Sequence, residues 1–403
     1  VRNSSKAFIV LVLVLGLLAS VVGCAAPSTP TPTATPTASP TASPTPTPTQ
    51  PPAKDIIVGV VAPLTGEAAT FGKSTQEGAE LAALEWNAKG GINGSTIVLK
   101  IADDKGDPTE GAAGYTRLID QEKAVAIVGT VMSKVTLAGA PICQTKKIPM
   151  ISPTSTNAAV TQVGDFIFRA CFIDPFQGTV GAKFAWDNLK VTKAACIFDV
   201  GNDYTKGLSE MFRDGFTKLG GTIVGFEAHP TGATDFNAQL TKILASNPEL
   251  IYISDYYSDV GLITKQARAL GYKGFFLGGD GWDSPELVKI GGDAVEGGFF
   301  TNHFSKDDTR PEVQAFVKDY TAKFGAAPDA LAALAYDAAN LMFDAIKRAG
   351  STDGAKIRDA MAAANFKAVS GTIKFDANRN PIKAAVIIEI KGGQQAYKAT
   401  VEP

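Results

Sequence analysis

From Asp55 almost to the end of the chain, short apolar runs alternate with longer stretches of helical spacing. Residues 56–61, Ile-Ile-Val-Gly-Val-Val, form a continuous apolar run of strand type. In 75–89, Ala79, Ala82, Ala83 and Trp86 share one side, with Glu77, Glu80 and Glu85 interleaved, and Gly90-Gly91 stops the helix as a C-cap. The same reading predicts strands over 96–101, 124–128 and 149–152 and helices over 108–122 and 134–146. The pattern then starts again, with strands over 166–172, 193–199, 222–227, 249–254, 275–278 and 298–303. Helices such as 203–219, 236–245 and 260–270 separate them. Two long helices follow (311–324 and 328–349), then a helix near 354–364 and β-rich residues 371–375 and 384–391. Apolar strands separated by helices mean βαβ units and mainly parallel sheets covered on both faces. Two such sets predict an α/β fold of two doubly wound, Rossmann-like lobes, each completed by elements returning from the end of the chain.

The amino end has a different texture. Arg2 and Lys6 precede an apolar run, 7–18, broken only by Gly16. The run is shorter than the roughly 20 residues of a membrane span and reads as a secretory signal peptide, 1–23. Residues 27–52 contain only Pro, Thr, Ser, Ala and one Gln, with ten prolines among 26 positions. Such a stretch buries no core, and the region 24–53 is expected to be a disordered, extended linker reaching on the order of 80 Å. Val21-Val22-Gly23-Cys24 resembles the lipobox of bacterial lipoproteins. That resemblance implies cleavage before Cys24, lipidation of its sulfur, and a body tethered to the outer face of the cell membrane.

Composition removes several function classes. The 403 residues carry 38 Lys+Arg against 40 Asp+Glu, a net charge of -2, which argues against a nucleic-acid partner. Only two histidines occur, His229 and His303, far apart in sequence, leaving little for a zinc site or a Ser-His-Asp triad. Phosphate-loop spacing is missing, and Asp103-Asp104-Lys105-Gly106-Asp107 lacks the spacing and terminal Glu of an EF-hand. No metal, cofactor or enzymatic chemistry is expected. Cys171 and Cys196 fall on neighbouring predicted strands, within reach of a bridge that leaves Cys143 unpaired; the apolar context of all three suits buried free thiols equally.

Ligands of open α/β sheets sit beyond the carboxyl ends of the strands. Those positions hold Phe71 after the first strand, Met132 and Ser133 after the third, and Thr154, Ser155 and Thr156 after the fourth. In the second lobe they hold Tyr204, Tyr256, Asp280 and Trp282. Ser133 reads as a helix N-cap, and hydroxyls with free N–H groups at helix starts suit a carboxylate. Asp280 lies between glycines and suits a cation, and the aromatics supply apolar walls. Together these groups suit a zwitterion with an apolar side chain.

Residues 54–403 resemble the type I periplasmic binding proteins of the leucine-isoleucine-valine class. The stretches that carry the resemblance are IIVGVVAPLTGEAATFG, GAELAALEWNAKGGING, DDKGDP, AIVGTVMSKVT, IPMISPTSTN, FRACFIDPFQG and FLGGDGWDSP, in family order. The resemblance implies two lobes joined by a three-strand hinge and closing on ligand, with crossings near Ile173, His303 and Gly371. Lobe 1 is then 54–172 plus 304–370, and lobe 2 is 173–303 plus 371–403. It further implies that Ser133 binds a ligand carboxylate, that Thr154, through its carbonyl, and Asp280, a shorter acid than the family's Glu, meet the ammonium, and that Thr156 contacts both ends. Tyr204, Tyr256 and Phe71 close over the ligand, while Met132 and Trp282 shape its side-chain pocket. The implied partners are an amino acid and the permease and ATPase subunits of an ABC importer. An amide or urea receptor on the same clamp, or a sensor for a signalling partner, is the alternative.

Overall fold

The computed structural model describes residues 54–403; the leader, Cys24 and the Pro/Thr linker lie outside the described residues. The first βα set runs β1 (Ile56–Ala62), α1 (Ala69–Ala88), β2 (Ile97–Asp103), α2 (Pro108–Asp120), β3 (Ala126–Gly129), α3 (Ser133–Lys146), β4 (Met150–Ser152), the short α4 (Ala159–Gln162) and β5 (Ile167–Arg169). Its strands form a parallel sheet in the order β2-β1-β3-β4-β5. The second set runs α5 (Asp174–Asp187), β6 (Lys193–Asp199), α6 (Asp203–Lys218), β7 (Thr222–His229), α7 (Asn237–Ala245), β8 (Leu250–Ile253), α8 (Tyr257–Ala269), β9 (Phe275–Gly278), α9 (Pro285–Gly291) and β10 (Phe299–Asn302). Then come α10 (Pro311–Phe324), α11 (Ala330–Ala349), α12 (Gly354–Ala362), β11 (Asn365–Ala368), β12 (Gly371–Lys374), β13 (Ala385–Lys391) and β14 (Gln394–Val401). The second sheet is ordered β14-β13-β10-β9-β8-β6-β7, and its last two strands add antiparallel at the edge.

The late elements return as the alternation predicts. One face of α11, with Leu334, Met342, Phe343 and Ile346, packs into the core of Val58, Val60 and Val128. Fully burying side chains of this size stabilises by about 1.5–3 kcal/mol each, which fixes a long C-terminal helix on the first sheet. Conversely, Ile387, Ile388 and Ile390 of β13 are buried in the second lobe. The chain thus passes between lobes after β5, after β10 and between β12 and β13.

Three expectations shift. The helix α5 and the strands β11 and β14 were not read from the sequence. We place the third crossing after Phe375 rather than at Gly371, because β12 pairs with β11, Ile373 lies in the first-lobe core and Phe375 packs 5.1 Å from Phe168. Gly371, at φ +108°, closes that hairpin. Finally, Cys171 and Cys196 do not share a sheet. One lies in the first-lobe core and the other on β6 in the second, and both, like Cys143, are buried free thiols.

The crossings are tied together by buried polar groups. The Lys383 ammonium donates to the Ala170 carbonyl (3.2 Å) and to the Ser370 hydroxyl, and the Asp337 carboxylate accepts from the backbone of Val369 and Ser370 (2.8 and 2.9 Å). Burial pushes the Lys383 pKa down to about 8 against the pull of Asp337. Among the described residues no helix is long and apolar enough to cross a membrane.

Candidate functional site

The register of the first sheet sets β3 beside β4, so the loops that leave their carboxyl ends touch. Hydroxyls knit them together. Ser152 donates to the Thr130 carbonyl (2.8 Å), Ser155 to Val131 (2.9 Å), and Thr154 to Val131 (3.3 Å). Arg169, fully buried at the end of β5, grips the second loop from behind, with Nη1 on the Ser155 carbonyl (2.6 Å) and Nη2 on that of Asn157 (2.8 Å). A guanidinium forked onto two carbonyls fixes a loop that has no ladder of its own.

Ser133 is the first residue of α3, not its cap; the N-cap position is Met132, which makes no capping bond. The Ser133 hydroxyl instead accepts from the Asn157 N–H (3.3 Å) and faces the space between lobes. Thr156 holds the start of α5 through its carbonyl, which accepts from Asp174 N (3.0 Å), while its buried hydroxyl has no partner. Both carboxyl oxygens of Asp174 are buried beside it and equally unpartnered. Burial pushes Asp174 up to about 8 and the Asp280 charge pushes it further, against the pull of Arg169 and of the nearby Thr156 hydroxyl, which lies outside hydrogen-bond geometry.

Asp280 opens a 3-10 turn at the end of β9 and is 5% exposed. Its Oδ1 accepts from Gln177 Nε2 (2.8 Å) and Tyr204 OH (2.9 Å), and its Oδ2 from His303 Nε2 (2.9 Å). Burial holds the His303 pKa below its ordinary value against the pull of Asp280, so the ring is neutral and its Nε2–H donates. The imidazole stacks on Phe172, ring centroids 3.7 Å apart. Three donors occupy three of the four acceptor positions of the carboxylate and leave one. The flanking glycines make room for the tyrosine: a Cβ on Gly279 or Gly281 would meet the Tyr204 hydroxyl at 2.7 or 3.1 Å.

Tyr204 and Tyr256 stack at 5.3 Å, and Phe71 of the first lobe meets Tyr256 edge-on at 5.9 Å. The lobes touch through Tyr257 OH on the Glu67 carbonyl (2.6 Å) and Asn157 Nδ2 on that of Asp203 (2.9 Å). Between them Ser133, Thr154 and Phe71 face Tyr204, Tyr256 and Asp280 across a cavity of about 20 Å3. That is room for about one water molecule, so anything larger enters only as the lobes and their aromatic walls part.

Six of the expected residues thus line one cavity, and Thr156 lies behind them. The other three lie elsewhere. Ser155 turns inward, its hydroxyl 2.6 Å from that of Thr136. Trp282 is fully buried in the second lobe, its indole donating to the Ile253 carbonyl (2.9 Å). Met132 packs under Gly106 in a separate recess of about 220 Å3 at the cleft mouth. The sequence reading missed Asp174, Arg169, Gln177 and His303 as site residues. Its one signal for the first three was a cluster of polar residues in the otherwise apolar stretch FRACFIDPFQG.

A family model described as "Periplasmic binding protein" matches residues 55–395. A solved leucine-binding protein of Thermotoga maritima is 42% identical, with a TM-score of 0.82 over 86% of this chain and 99% of that one. The substrate-binding protein of a branched-chain amino acid transporter of Streptococcus pneumoniae, solved with isoleucine, is 33% identical with the same TM-score over 87% and 100%. A Leu/Ile/Val-binding protein homologue of Brucella melitensis is 35% identical over 301 residues, 74% of this chain and 80% of the relative. The two lobes, the sheet orders and the residues gathered between them therefore have one source: the chain belongs to the type I periplasmic binding proteins, a family of binding proteins rather than enzymes, in the class whose named members are leucine- and branched-chain amino acid-binding proteins.

Proposed function

We propose that this protein captures an amino acid with an apolar side chain between its lobes and delivers it to an ABC importer. The observation that carries the reading is the Asp174–Asp280 pair. Asp174 is buried with neither oxygen bonded, and Asp280 keeps one acceptor position. A buried carboxyl in that state calls for a cation, and an α-ammonium supplies the charge with three donors. Ser133 and Thr156 stand ready for the carboxylate end, the Thr154 carbonyl for the ammonium, and Phe71, Tyr204 and Tyr256 for the side chain. The isoleucine-bound and leucine-binding relatives point the same way. A structural relative from R. palustris, 26% identical, holds benzoate; an aromatic acid without an amine leaves Asp174 and the open position of Asp280 unanswered.

Ligand stabilises the closed form only by binding it better than the open one. The closed form presents both lobes to the permease subunits. A lipid on Cys24 and the Pro/Thr linker keep the clamp near the membrane on its outer face. A thermal-shift panel of leucine, isoleucine, valine, alanine, urea, simple amides and benzoate tests the ligand class. The apolar amino acids are expected to raise the melting temperature. A rise with urea, amides or benzoate alone contradicts the reading.

A further inference from the structure

Asp283 follows the site's 3-10 turn and belongs to the second lobe, yet its Oδ2 accepts from the backbone N–H of Ala330 (2.8 Å) in the first. Ala330 is the first residue of α11, a helix of 20 residues, and its N–H is among those a helix leaves without an internal partner. Asp329, the N-cap, serves a different donor, Ala332 N (2.8 Å), and is itself held by the Ser74 hydroxyl (2.5 Å). Asp283 thus caps, from across the cleft, a position that the helix's own cap leaves open. The neighbouring Ser284 hydroxyl lies 3.0 Å from that of Thr70 on α1. The contact brackets the ligand cavity: Gly281, two residues before Asp283, and Leu331, one after Ala330, both line it.

We infer that Asp283 is a closure residue: its bond to Ala330 N–H forms only when the lobes meet, and it sets how long they stay shut. The inference rests on the amino-acid reading above only for its choice of ligand. Asp283 is 1% exposed, its Oδ1 has no hydrogen-bond partner, and its Oδ2 is spent on the Ala330 N–H across the cleft. Burial pushes its pKa up against the pull of the Asn302 side chain and the Ala330 N–H, and the Asp280 charge adds to the rise. An amide accepts the same N–H without that charge, so the geometry makes different demands on Asn and Ala.

Three variants and two readouts test this. Asp283→Ala removes the acceptor, and Asp283→Asn keeps one. Ala330→Pro removes the donor at a helix position where proline is tolerated. Release of radiolabelled leucine is expected to be about tenfold faster in Asp283→Ala and in Ala330→Pro, no faster when the two are combined, and unchanged or slower in Asp283→Asn. Amide exchange at Ala330, measured by NMR without and with leucine, is expected to speed up in Asp283→Ala and to stay slow in Asp283→Asn. Equal exchange in wild type and Asp283→Ala, or equal release from the Ala and Asn variants, overturns the inference. Wild type that ignores leucine while the Ala330 amide still depends on Asp283 sinks the amino-acid reading and keeps the closure residue.

Discussion

Asp174 and Asp280 are two buried acids a short way apart with opposite surroundings. Three neutral donors hold Asp280, which makes it a fixed anionic anchor. Removing it leaves a ligand ammonium short of a partner, so Asp280→Ala is expected to weaken leucine binding by ~2–5 kcal/mol in calorimetry. An unchanged affinity denies it the role. Asp174 has no donors and titrates at about 8, so at neutral pH it is largely protonated before ligand arrives. An ammonium favours its charged form, and binding then expels a proton. Affinity should therefore rise between pH 6 and 8, by at most about tenfold per unit, and level off above. Asp174→Asn should flatten the part of the profile due to Asp174, and an identical profile in the variant would remove Asp174 from the site. Asp280 and the tyrosines were legible because strand ends collect ligand groups. Ser155 was misplaced because neighbouring side chains of an extended loop point to opposite sides, and the sequence does not say which side is which. His303 and Arg169 were illegible as site residues because their roles depend on which loops fold against them.

At the scale of elements, the carboxyl ends of β7 and β8 are braced by His229 and Asp255. Its Nδ1 lies 3.1 Å from the Pro230 carbonyl and its Nε2 3.2 Å from Asp255 Oδ2, so both ring nitrogens face oxygen, a geometry that only the imidazolium satisfies with two donors. Burial pulls the His229 pKa down, but Asp255 outweighs it and holds the ring at about 9. A folded pKa above the unfolded value of about 6.5 stabilises fully below pH 6.5 and is lost as pH rises through 9. The denaturant midpoint should fall across that window, and less so in His229→Gln; equal slopes would contradict the pair. The brace matters to the site because Tyr256 follows Asp255 directly. The buried strands of both sheets were legible as apolar runs between helices. The edge strand β14, Gln-Gln-Ala-Tyr-Lys-Ala-Thr-Val, was not, since a half-exposed edge carries polar residues that resemble loop. The β11–β12 hairpin was hidden for a related reason: Gly371 reads as a boundary until its pairing partner is known.

For the whole molecule, the two βα sets written in the sequence become two lobes, and the hinge follows from the chain's three passages between them. What the alternation could not give was how near the lobes stand, because that depends on contacts between residues such as Glu67 and Tyr257, 190 positions apart. The amino end has its own test: mass spectrometry of protein extracted from membranes should find the lipid on Cys24, and an unmodified mature start elsewhere would refute the tether. The central claim is that both ends of one zwitterion are held at once. Calorimetry with leucine, its amine lacking the carboxylate and its acid lacking the amine tests this most directly. Leucine is predicted to bind at least about 100-fold more tightly than either analogue. An analogue that matches leucine would contradict the account.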